Sequence, residues 1–103
     1  MGIVLVKIGD MKHYLKTLPI YFERVVSLKK NFEVRKNDRD FQTGDIVVLQ
    51  EWSETDKYTG REIRCMVEYI LYDFEGLVDG YVALGLSGNK NFNFDINYEG
   101  LRV

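Results

Sequence analysis

Apolar residues recur along this chain mostly with period two, and only once with the longer period of a helix. The clearest alternation runs from Ile63 to Leu71: Ile63, Cys65, Val67, Tyr69 and Leu71 fall on one parity, Arg64, Met66, Glu68 and Ile70 on the other. Such a run predicts a strand with one face towards a core. Phe32 and Val34 alternate with Asn31, Glu33 and Arg35, which predicts a second strand and puts Glu33 and Arg35 on one face, opposite Phe32 and Val34. Ile46-Val47-Val48-Leu49 is continuously apolar, as a strand buried on both faces would be. Gly80 to Leu86 reads as a strand, and so does the run in which Phe92, Phe94, Ile96 and Tyr98 alternate with Asn93, Asp95, Asn97 and Glu99.

Helical spacing is confined to one place. Pro19 suits a first turn that needs no backbone donor there, and Phe22, Val25 and Val26 follow at helical intervals with Glu23 and Arg24 between them; a helix is predicted over roughly 19–28. His13 to Leu18 forms a short strand ahead of it. Ile3 to Ile8, apolar and β-branched, reads as a strand-like extension before Met11. Asn37-Asp38 and Thr43-Gly44-Asp45 bracket one loop, and Ser53 to Gly60 reads as a polar turn. One helix with five to seven strands implies an α+β fold with a strongly curved, barrel-like sheet, because one helix cannot cover a flat sheet of that size.

A chain of 103 residues, 46% hydrophobic and 14% aromatic, suits one domain spanning 1–103, with its core at about 11–86. The net charge of −2 makes no global case for nucleic acid. The charge is unevenly spread, however. Lys29, Lys30, Arg35, Lys36 and Arg39 stand against only Glu33 and Asp38, a local net of +3 that leaves −5 for the rest. Extending the window to Asp40 lowers it to +2. A patch of this kind sets a local potential in an acidic protein. Its bland reading is a solvated face on which Glu33 and Arg35 pair, a contact worth roughly 0–1 kcal/mol.

Cys65 is the only cysteine, so an intrachain disulfide is impossible, and a reducing, cytoplasmic setting is expected. Ile3 to Val6 is too short for a signal-peptide core, and no apolar run is long enough to span a bilayer. Val6 stands where a myristoylation signal wants Ser or Thr. His13 and Cys65 lack partners at ligand spacing, so no metal is expected. Cys65 reads as a small buried hydrophobe, His13 as a satisfied strand residue. No cofactor motif is present: Gly85-Leu86-Ser87-Gly88-Asn89-Lys90 lacks the spacing of a phosphate loop and reads as a turn. Ser27, Ser53 and Ser87 have no triad, because the single histidine has no claim on any of them. Tyr58, Tyr72, Tyr81, Phe92 and Tyr98 could stack on bases, but their strand period favours core packing. Trp52, directly after a buried strand, is placed either as a stacking platform or as a ring capping the end of a barrel.

The run "LKTLPIYFERVVSLKKNFEVRKNDRDFQTGDIVVLQEW", with "YTGREI" and "GYVALGL" after it, resembles the ASCH domains of the PUA-like superfamily. Within them it resembles a bacterial and phage subgroup, a domain of unknown function (DUF3850). The likeness extends from about His13 to Leu86. It implies a small mixed PUA-like β-barrel with one main helix beside it, and a Lys-x-x-Glu-x-Arg signature lining a cleft next to that helix. Here the signature is Lys30, Glu33 and Arg35, completed by Asn37-Asp38-Arg39 and by the turn at Gly44-Asp45. Two positions depart from the family. Leu28 stands where Gly usually ends the helix, so the helix is expected to end differently or to run on towards Lys30. Asn31 stands where Thr is common.

The implied function is that of a module binding RNA or a nucleotide-like ligand. Lys30, Arg35, Lys36 and Arg39 would meet phosphate, Glu33 would accept hydrogen bonds from a base or ribose, Asn37 and Asp38 would frame the loop, and Trp52 or Tyr58 would stack. Some ASCH proteins are amidohydrolases of N4-acetylcytidine that use a Lys and a Thr of the same signature. Lys30 matches the Lys, but Glu33 occupies the Thr position, and a carboxylate is a poor substitute for a hydroxyl that must be acylated. A small hydrolase with Glu33 as general base and Lys30 or Arg35 at an oxyanion is the alternative. A protein-interaction domain with solvated cations is the third reading.

Overall fold

The computed structural model describes residues 9–87, and the backbone of 95–98. Its elements are β1 (Lys12–Thr17), α1 (Pro19–Val26), β2 (Phe32–Lys36), β3 (Ile46–Ser53), β4 (Lys57–Tyr72), β5 (Tyr81–Ser87) and β6 (Asp95–Tyr98). The predicted arm at 3–8 and the residues around Phe92 and Phe94 lie outside the described residues.

Five strands join in the order β1-β3-β4-β5-β2, and β6 adds to β4. β1 and β3 are parallel, and the other pairs are antiparallel. The sheet is therefore mixed, and it curls into a half-barrel rather than closing. β4 is long enough to serve two neighbours on one edge, pairing β6 through Arg61–Arg64 and β5 from Met66 onward.

Pro19 fixes the start of α1. It forces Leu18 into extended backbone, with ψ 148°, because the residue before a proline avoids the helical region. β1 therefore stops and turns directly into the helix, whose first bonds run from the Tyr21 and Phe22 amides to the Leu18 carbonyl. Phe22 and Val25 are fully buried against the concave face of the sheet, and burial of side chains of that kind stabilises by roughly 1.5–3 kcal/mol each. They join Leu15, Phe41, Val47, Leu49, Ile63, Cys65, Val67, Val82, Leu84 and Leu86 in one core.

The helix ends two residues earlier than the sequence suggested. Leu28 adopts φ 64°. Its amide donates to the Val25 carbonyl, and the Lys29 and Lys30 amides donate to the Arg24 carbonyl. This is the left-handed cap that Gly usually provides, formed here by a leucine, so the expectation of a different ending is corrected.

Three sequence expectations are altered, one of them by a bulge. A bulge between Val67 and Tyr69 exchanges the inward parity of β4, as an unpaired extra residue must. Ile63, Cys65 and Val67 are buried, but Tyr69 points out, and Ile70 packs on the core instead. The turn between β3 and β4 is much shorter than 53–60, because both strands run into that stretch. Gly85 to Ser87 continue β5 rather than turning.

Asp45 ties the start of β1 to the loop before β3. It accepts the Met11 and Gln42 amides and meets His13 Nε2 at 2.8 Å, fully buried. Gly9 donates its amide to the Thr43 carbonyl at 2.7 Å, and a Cβ at Gly9 would run into the Asp45 carboxylate.

Candidate functional site

The free edges of β1 and β2 face each other across the open side of the half-barrel. Arginines span the gap. Arg35 Nη2 donates to the Lys16 carbonyl at 2.7 Å, and Arg39 Nη1 to the Tyr14 carbonyl at 3.0 Å. Unpaired strand edges need such partners.

β2 is turned the opposite way from an ordinary amphipathic strand. Phe32 and Val34 are 48% and 50% exposed, whereas Glu33 is only 5% exposed. The register explains this placement. Glu33 sits beside Leu84 and Arg35 beside Val82, both buried on the concave side. The solvated Glu33–Arg35 face that composition favoured is therefore corrected: the charged face looks inward.

Buried carboxylates need partners, and Glu33 has two. Lys30 Nζ lies 2.7 Å from Oε1, and Arg35 Nε 3.3 Å from Oε2. The helix cap delivers Lys30, since the turn at Leu28 folds the chain back towards β2. Two rings flank the Lys30 ammonium, Tyr21 at 5.6 Å and Phe32 at 5.2 Å, at cation–π distance. The three charged residues line one open cleft of about 430 Å³ with Lys16, Thr17, Leu18, Tyr21, Phe32 and Val34. Arg35 also reaches the Thr17 hydroxyl at 3.4 Å, and that hydroxyl donates to the Leu15 carbonyl.

The remaining predicted site residues lie elsewhere. Lys36 is exposed at the end of β2. Asn37 accepts the Phe41 amide and shapes its loop. Asp38 and Arg39 pair at 3.8 Å on the surface. Trp52 is half-buried within β3, opposite Tyr58, with Lys16 Nζ 4.5 Å and Lys57 Nζ 5.8 Å from its ring centre. Trp52 thus carries lysines instead of presenting a bare stacking face. Tyr58, Tyr72 and Tyr81 are exposed, which corrects the core packing expected of them; nothing in the described residues bears on the side chains of Phe92 and Tyr98. Sequence reasoning missed Lys16, Thr17 and Tyr21 as cleft residues. Only a non-local parallel pairing and the helix orientation bring them in, and no local pattern announces either.

Asp45 and Cys65 are displaced from their ordinary pKa values. Burial alone would raise the Asp45 carboxyl, but the hydrogen bonds from His13 and from the Gln42 and Met11 amides outweigh it and hold the group below the usual aspartate range. Burial, with the Glu33 charge added, pushes the Cys65 thiol up to about 12, so it is inert near neutral pH. Cys65 is buried, as the sequence reading expected, and His13 is a strand residue satisfied by Asp45. Among the described residues no three His, Cys, Asp or Glu side chains are grouped to hold a metal ion, and no helix is long and apolar enough to cross a membrane.

The family model for a domain of unknown function (DUF3850) matches residues 12–86, the span that contains the whole cleft. This chain belongs to that family. An uncharacterised 12.9 kDa protein in the GpA 3′ region of Escherichia phage P2 is 32% identical over 81 residues, covering 79% of this chain and 69% of the phage protein.

Proposed function

We propose that this DUF3850 chain is a PUA-like, ASCH-type module that binds RNA or a nucleotide in the cleft between β1, α1 and β2. The observation that carries this reading is the pairing of Lys30 and Arg35 on one buried carboxylate, Glu33, inside a cavity of about 430 Å³. That volume lies within the range of small-molecule sites. The trio has a net charge of +1, and the Lys30 ammonium and the guanidinium keep donors to spare. The resemblance to ASCH domains over the same residues supports the assignment. Glu33 acts as the organiser of the two cations, and an anionic group of the ligand completes their coordination. Tyr21 and Phe32 wall the cleft with rings on which a base can stack. The buried lone thiol suits a cytoplasmic setting.

The test uses Lys30→Gln, whose amide can still donate to Glu33 but carries no charge. Affinity for uridine 5′-monophosphate is expected to fall about tenfold, in line with the loss of one charge-assisted contact. Wild-type affinity is expected to fall as salt rises. Unchanged binding by calorimetry in a folded Lys30→Gln protein refutes the reading.

One observation favours a second reading, a small amidohydrolase of a modified nucleoside. Glu33 replaces the family's Thr in sequence, yet β1 brings the Thr17 hydroxyl into the same cleft. That reading requires turnover of N4-acetylcytidine that disappears in Thr17→Val.

A further inference from the structure

The cleft is not the last cationic feature on this side of the molecule. Lys16 belongs to two places at once. Its carbonyl accepts Arg35 from the cleft, while its ammonium lies over Trp52, 4.5 Å from the ring centre, and 5.9 Å from that of Tyr58. Lys57 approaches the same tryptophan from the β3–β4 turn, at 5.8 Å. Trp52 and Tyr58 are register partners. Lys16 is opposite Gln50 on β3, two residues short of Trp52, and its side chain reaches diagonally to the ring, so the strand order β1-β3-β4 lays Lys16, Trp52 and Tyr58 in an oblique row over two strand spacings, about 10 Å. Arg35 stands at the near end of this row.

We propose that the ligand is a single-stranded nucleic acid longer than one nucleotide. One nucleotide occupies the cleft, and the adjoining backbone crosses the β1 edge onto Lys16 and Lys57, with the next base against Tyr58. The proposal rests on the nucleotide reading of the cleft and extends it. Two features favour a strand over a free nucleotide. Lys16 stands on the rim of the cavity with its ammonium carried out over Trp52, and Lys57 lies outside the cavity altogether, where a mononucleotide seated in the cleft does not reach. Among the described residues Lys16 is held by a ring and meets no carboxylate, so its charge is not neutralised by an acid there. Lys57 does meet Glu54, at 3.4 Å, but both side chains are largely exposed, and a surface pair of that kind yields readily to a phosphate. Alternating cations and aromatic faces in a row is the arrangement by which single strands are held without regard to sequence.

Trp52 is the only tryptophan of the chain, so its fluorescence reports on this region directly. Uridine 5′-monophosphate, hexauridylate and hexathymidylate are titrated against wild-type protein and against the double variant Lys57→Ala/Tyr58→Ala, both positions being exposed and outside the cleft. Hexauridylate is expected to bind at least about tenfold tighter than the monophosphate and to change the Trp52 emission. The double variant is expected to lose most of that gain while its affinity for the monophosphate stays within about twofold. Equal affinities for the two uridine ligands, or a double variant that binds hexauridylate like wild type, overturn the proposal and leave the cleft reading standing. Failure of every ligand to bind overturns both. Hexathymidylate binding as tightly as hexauridylate supports a track that reads phosphates and bases alone; weaker binding supports a track that also contacts the ribose hydroxyl.

Discussion

Glu33 shows how one residue can organise the charges of a cleft. Its carboxylate is nearly buried, and each oxygen holds a different cation, one from the helix exit and one from its own strand. Removing the carboxylate would leave two cations facing each other with no anion between them, so the grouping depends on a single side chain. Asp45 plays the corresponding structural role at the other end of β1. Its pKa is held below the ordinary aspartate value, so the folded state favours the ionised form. The stability this contributes is fully present above the unfolded-state pKa of about 4 and is lost as the pH falls through the lower folded value. Wild type is accordingly expected to exceed Asp45→Asn in stability at neutral pH, with the difference shrinking below about pH 4. Urea denaturation of both proteins across that range measures it.

Among the elements, α1 and β2 illustrate how far local pattern reaches. The start of the helix was legible because Pro19 constrains its own φ and the conformation of Leu18. Its end was not, because a leucine at φ 64° violates the preference that makes Gly the usual sign of such a cap. The left-handed conformation costs an L-residue roughly 1–2 kcal/mol. Leu28 is exposed and loses little packing on truncation. Leu28→Gly is therefore expected to stabilise the protein by about 1 kcal/mol, seen as a higher denaturation midpoint with an unchanged slope. For β2 the period was legible and the facing was not. Glu33 and Arg35 look inward because that side of the strand opens partly onto a cleft that can hold paired charges, which leaves Phe32 and Val34 half-exposed along its rim. The bulge in β4 had no advance sign, since Glu68 and Tyr69 fit the alternation as well as their neighbours do.

At the scale of the molecule the defining feature is a sheet that stops short of closing. Tyr14 and Lys16 carbonyls on β1 are satisfied by arginines from the β2 side in place of a strand. The cleft exists because this gap exists, and the cations that would grip a ligand are partly those that bridge it. Arg39 bridges outside the cleft, so its removal isolates the structural part. Arg39→Ala is expected to speed hydrogen exchange of the β1 amides that face β3, at His13 and Leu15, severalfold, while the affinity for uridine 5′-monophosphate that the proposed function predicts is unchanged. Exchange rates unchanged by the substitution would show that the edge is held by other means.

By itself the sequence determined the mixture of one helix with many strands, the start of the helix at Pro19 and the burial of Cys65, whereas the meeting of Lys30, Glu33 and Arg35 was legible only through the family resemblance. The first three follow from local periodicity and from proline. Tertiary structure alone decided which face of β2 looks inward, that Lys16, Thr17 and Tyr21 join the cleft, and that Trp52 carries lysines. Those outcomes depend on the parallel pairing of β1 with β3 and on the incomplete curl of the sheet. Contacts between strands separated by dozens of residues fix both, and no short stretch of the chain encodes them.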